Sequence, residues 1–120
     1  MSLWQRIVNW FQNLVHPAPV RHENSDGLWW TDADKNGQVH VGLTTDTVDT
    51  LENVTFLDTP RVGKTVEDGD QLVDVEGGKA VQTMATPVAG KIESVNEHYQ
   101  DDPASLTGQK DPELLTISPK

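Results

Sequence analysis

Apolar and polar residues alternate in short runs through most of the chain, whereas the first fifteen residues keep a helical period. In 2–15, Leu3, Trp4, Ile7, Val8, Phe11, Leu14 and Val15 fall on one stripe, the spacing of an amphipathic helix. Ser2 with Gln5 three residues on fits a capping box, and Pro17 and Pro19 stop the helix. The pattern predicts an N-terminal amphipathic helix over 1–16, a linker over 17–26 and one folded domain over 27–120. The stripe can pack on the domain, on a second copy through residues 2–15, or on a partner. Arg6 alone gives little attraction to anionic lipid, which favours a protein partner.

Beyond the linker the period is two. Residues 27–31 and 38–43 read as strands joined across 32–37, where Asn36-Gly37 predicts a type I′ turn. Residues 44–51 read as a short helix, capped by Thr44 or Thr45 with Val48 and Leu51 facing inward. A strand over 53–58 is expected to place Val54 and Phe56 on one face. Further strands are expected over 62–66, 88–95 and 114–118, and 96–107 is polar. Two alternating runs, 72–76 and 81–86, flank Gly77-Gly78-Lys79-Ala80. Such an interruption is a hairpin signal, and it places Lys79 at the tip of a tight turn. A Pro-x-x-Gly-Lys element recurs on both sides, at 60–64 and 87–91, which suggests a pseudo-symmetric sheet. Many short strands with one small helix imply a mainly β sandwich or flattened barrel.

Composition agrees with short strands: 120 residues with 9 Gly and 7 Pro fit one domain and an appended segment. With no Cys there is no disulfide framework, thiolate nucleophile or Cys-based metal site, which fits a cytoplasmic protein. All 19 acids and seven of the nine bases lie in 23–120. That acidic body argues against nucleic acid and for basic protein partners. No apolar run is long enough for a transmembrane segment.

Conventional catalytic chemistry is not visible. Asp32-Ala-Asp34-Lys-Asn36-Gly37 matches half of a calcium loop, but its twelfth position is Leu43 rather than Glu, so it reads as a polar turn. His16, His22, His40 and His98 show no i,i+4 pair, and there is no Gly-x-Ser-x-Gly elbow or phosphate-binding glycine loop. The chain is therefore not expected to be an enzyme. What remains is one amine on a rigid tip, after Asp74 and Glu76. Acylation of Lys79 would remove its charge and add a long flexible arm, and a carrier needs no catalytic triad because the attached group holds the reactive atoms.

Here the residues resemble a family. Val41-Gly42-Leu43-Thr44 is similar to the Val-Gly-Ile-Thr that leads into the first helix of the glycine cleavage system H proteins, members of the lipoyl/biotinyl carrier superfamily. Residues 51–57 and Pro60-Arg-Val-Gly63 resemble that family's Leu-Gly-Asp-Ile-Val-Phe-Val strand and Pro-x-x-Gly turn. Val75-Glu76-Gly77-Gly78-Lys79-Ala80-Val81 resembles its Val-Glu-Ser-Val-Lys-Ala-Val modification site, and 86–90 resembles Ser-Pro-Val-Ser-Gly. The match is collinear over most of 28–117. The resemblance implies a barrel-sandwich hybrid and lipoate in amide linkage on Lys79, with Glu76, Gly77, Gly78 and Ala80 as the supporting turn. It also implies a lipoate ligase or lipoyl transferase as partner, together with the glycine cleavage enzymes or with macrodomain, sirtuin and oxidoreductase partners. Glu52-Asn53 stands where the family has Gly-Asp, Glu113-Leu114 replaces Gly-Trp, and the leading helix is extra. In these departures the chain resembles shorter H-like proteins of lipoate relay, or of macrodomain and sirtuin systems with ADP-ribosylation of an acidic side chain; Asp46 and Asp49 would be the acceptors. Two alternatives share the fold: a biotin carrier, whose sites usually read Met-Lys-Met, and an unmodified scaffold or adaptor.

Overall fold

In the chain's order of strands, side chains rather than apolar alternation hold the first one. Arg21–Glu23 (β1) pairs antiparallel with Leu28–Thr31 (β2), although it falls inside the expected linker. The Arg21 guanidinium lies 5.0 Å from the centre of the Trp29 ring and bonds Glu23 at 2.8 Å and Asp111 at 3.0 Å. Asn24 closes the connection, its Oδ1 accepting from the backbone N–H groups of Asp26, Gly27 and Leu28. The computed structural model of the chain describes residues 20–120. The helix expected over 1–16 lies outside them.

Val39–Leu43 (β3) follows β2 in antiparallel register, Leu28 facing Leu43 and Trp30 facing Val41. The turn between them is not type I′, because Gly37 has φ 77° but Asn36 does not take the left-handed backbone. Asp34 decides this: its Oδ1 accepts from the N–H groups of Asn36 and Gln38, and Gly37 N–H bonds the Asp34 carbonyl. The half-match to a calcium loop is thus a self-capped turn. Thr45–Leu51 (α1) starts as expected at Thr44, whose hydroxyl accepts from Thr47 N–H, and it buries Val48 and Leu51.

The remaining elements are Val54–Asp58 (β4), Thr65–Val66 (β5), Gln71–Gly77 (β6), Val81–Ala85 (β7), Gly90–Val95 (β8), Glu97–Asp101 (α2), a 3-10 turn at Pro103–Leu106 and Glu113–Pro119 (β9). They form a six-stranded sheet, β1-β2-β3-β9-β8-β5, and a three-stranded sheet, β4-β6-β7. One apolar layer lies within them; Leu43, Leu51, Val75, Met84, Ile92 and Ile117 are all fully buried. The fold is the mainly β flattened barrel-sandwich anticipated from the alternation.

Three local expectations change. On β4, Val54 faces Gly77 and Phe56 faces Glu76, so two steps on β4 match one on β6. This bulge at Thr55 turns Phe56 outward and brings Leu57 into the core beside Val54. The strand expected over 62–66 shortens to β5, because the turn Arg61–Lys64 precedes it, with Gly63 at φ 93°. The polar stretch 96–107 contains two short helical turns, and Leu106 is its single fully buried side chain. The repeated Pro-x-x-Gly-Lys elements do meet: Thr65 pairs with Lys91, and Gly63 N–H bonds the Ile92 carbonyl.

Candidate functional site

Strands β6 and β7 run antiparallel with Glu76 opposite Val81, and Gly77 N–H closes the hairpin on the Ala80 carbonyl at 2.9 Å. Gly78 and Lys79 form the tip. Ala80 is half-buried against the core, whereas Lys79 is exposed and has no ion-pair partner among the described residues. Alternation thus anchors one neighbour of the amine and frees the amine itself.

Two contacts fix the tip to the end of α1. Gly77 passes so close to Leu51 that a Cβ built on it would collide with the Leu51 carbonyl oxygen and lie 2.8 Å from Leu51 Cβ. Gly78 N–H donates to the Asn53 carbonyl at 3.0 Å. The two glycines therefore differ. Gly77 is needed for close approach, while a Cβ at Gly78 would meet nothing within 4 Å. Neither adopts the left-handed backbone.

The residue between these contacts is strained. Glu52 ends α1 at φ 60°, ψ −108°, with its N–H on the Asp49 carbonyl at 3.2 Å. A non-glycine residue there costs on the order of 1–3 kcal/mol. By the resemblance above, the family has glycine at this place. The corner directs the chain so that the Asn53 carbonyl reaches the hairpin.

Beside the hairpin, on its core side, lies a polar cleft of about 270 Å³ lined in part by Glu23, Asn24, Asp26, Thr47, Thr50 and Gln82. Gln82 shares a cross-strand row with Leu57 and Val75, both buried. Its Oε1 is buried without a hydrogen-bond partner among the described residues. Gln82 itself lines the cleft, three residues from Lys79. Sequence reading did not single out Gln82 or Asn24. The turn chemistry of Asn24-Ser25-Asp26-Gly27 was the available signal for the second.

Asp46 and Asp49 are both exposed on α1, and Asp46 reaches the rim of that cleft. Glu76 lies on the opposite, outward face of β6. The charged clusters elsewhere hold the scaffold. Asp111, at φ 46°, accepts on Oδ1 from Thr45 N–H and Oγ1 and on Oδ2 from Arg21. The Arg21 bond foremost pulls its carboxyl down to about 2. His40 bonds Asp34 at 2.8 Å and Glu113 at 2.6 Å. Those bonds, Asp34 first, raise the His40 imidazole above its ordinary value against the opposing effect of burial.

The model of the family described as Glycine cleavage H-protein matches residues 20–112. The chain belongs to the glycine cleavage H-protein family. The glycine cleavage system H protein of Bifidobacterium longum is 37% identical over 97 residues, covering 81% of this chain and 70% of that protein. The H protein of Burkholderia vietnamiensis is 34% identical over 92 residues, covering 77% and 71%. Among solved structures, a glycine cleavage system H protein from Mycobacterium marinum superposes with a TM-score of 0.74 at 30% identity, covering 86% of both chains. As an H protein the chain has the two-sheet frame expected of the family. No helix among its described residues is long and apolar enough to cross a membrane.

Proposed function

We propose that Lys79 is the lipoyl attachment site and that this H protein is a non-catalytic carrier serving the glycine cleavage enzymes. The observation that carries the reading is the exposed Lys79 amine, without an ion pair among the described residues, on a tip held by Leu51 and Asn53. In the attachment step the neutral Nζ attacks the carboxyl carbon of an activated acyl group. An amide C–N bond forms, the activating group leaves, and the amine gives up a proton to solvent. A lipoate ligase or a lipoyl transferase supplies the activated acyl group. The dithiolane then provides the redox and group-carrying chemistry that this cysteine-free chain lacks.

The chain's own residues orient and receive the arm. Gly77 and Gly78 hold its root, Ala80 keeps Lys79 pointing outward, and Gln82 lines the adjoining cleft. Glu23, Asp26 and Asp46 make that cleft acidic, which suits a cationic group carried on the arm. Gly78-Lys79-Ala80 in place of Met-Lys-Met favours lipoate over biotin.

Intact mass of the protein from lipoate-replete cells tests the reading. A lipoyl increment is expected in the wild type and none in Lys79→Arg. A biotin increment would redirect the assignment. Unmodified protein in cells whose other carriers are lipoylated would leave the unmodified scaffold as the answer.

A further inference from the structure

The outward face of the three-stranded sheet has an ordered pattern. Phe56 pairs with Glu76 and Glu76 with Val81, so these three residues form one row across β4, β6 and β7. Asp58, Asp74 and Thr83 form the next. Paired residues share a face of the sheet. Phe56 is 42% exposed and Val81 66%. Single exposed apolar residues are ordinary. Here two flank one carboxylate in the same row, about 10 Å apart across two strand spacings. Among the described residues no cation pairs with Asp58, Asp74 or Glu76. Val81 is two residues from Lys79, at the tip end of the face.

We propose that this face is the docking surface for the enzyme that acylates Lys79, and that the enzyme meets it with a basic surface carrying an apolar contact for Phe56 and Val81. The proposal rests on Lys79 being the attachment site. Reach selects the occupant. An unmodified lysine extends only about 6 Å from its Cα, by ordinary bond lengths. The acylating enzyme must therefore sit on the rows around the tip to bring Nζ to its reactive carbon. Enzymes visited later meet an arm more than twice as long and can dock elsewhere. Sign selects the chemistry, since three carboxylates without an ion pair among the described residues, on an acidic protein, attract and orient a basic surface.

The test uses the full-length unmodified protein with a purified lipoate–protein ligase, lipoate and ATP, read by intact mass. The double variant Phe56→Ser/Val81→Thr is expected to raise KM for the carrier about tenfold with kcat within twofold of wild type. Asp58→Asn/Asp74→Asn is expected to flatten the fall of kcat/KM with added salt. Lys35→Ser, in the turn between β2 and β3 on the other sheet, should change neither. Thermal melts accompany each variant, and the paired acid variant, which changes no apolar residue, keeps the test sound if the apolar one is unstable. A wild type modified efficiently, with both double variants at wild-type KM and salt dependence, overturns the docking face and leaves the Lys79 reading intact. A wild type that is never modified brings down both.

Discussion

Glu52 and Gly77 both belong to the contact that sets the position of Lys79, Gly77 against Leu51 and Glu52 as the next residue along. The corner of α1 requires a backbone that suits glycine and holds glutamate, while the hairpin has glycine where the resembling sequences have serine. The pairing has a measurable side. Replacing Glu52 with glycine is expected to stabilise the protein by about 1 kcal/mol in urea titration, because the strain relieved exceeds the chain entropy that glycine adds. Gly77→Ala is expected to destabilise it by about 1–3 kcal/mol and to slow acylation of Lys79, since a Cβ displaces the tip from Leu51. Gly78→Ala should do neither.

At the scale of elements, β3 is tied on one side to its own turn and on the other to β9 by a single imidazole. His40 bonds Asp34 and Glu113 at once. Because the folded protein raises its proton affinity, the contribution is complete below the ordinary histidine range near 6.5. It is lost as pH rises through the higher folded value. The stability gap between wild type and His40→Gln is therefore expected to be larger at pH 6 than at pH 9 in paired urea titrations.

Most elements were legible because their cause is local. The Lys79 hairpin shows its alternation and its glycines, and α1 shows Thr44 and its inward Val48 and Leu51. What escaped was set by partners distant in sequence. Nothing within 21–23 reads as a strand, since Arg21 is positioned by Trp29 and Asp111. Phe56 turns outward because β4 must bulge against β6. In the site, Lys79 could be singled out from the chain, whereas the orphaned acceptor of Gln82 exists only once α1 and the 23–27 loop close over it.

Across the whole molecule, Asp111 joins the beginning of the described chain to its end. It clasps Arg21, 90 residues away, and the first turn of α1. Its carboxyl is held down to about 2, chiefly by Arg21. The stabilisation is therefore complete above about pH 4, the ordinary carboxylate range, and disappears as pH falls towards 2. Asp111→Ala is expected to cost about 1 kcal/mol at pH 7, a figure kept low by the solvent that screens this half-exposed pair. The difference from wild type should close in acid denaturation near pH 2.

The anchoring of the Gly77–Gly78 tip also bears on kinetics. A tether on a wandering root spreads its free end through the volume of root and arm together. On a root fixed by Leu51 and Asn53, the free end of the arm proposed for Lys79 would stay within one shell around it. Short flexible linkers hold their ends at an effective concentration on the order of millimolar. Once an enzyme has docked, the encounter of arm and active site is then intramolecular. Its frequency depends on how firmly the hairpin is held and not on how much carrier the cell contains.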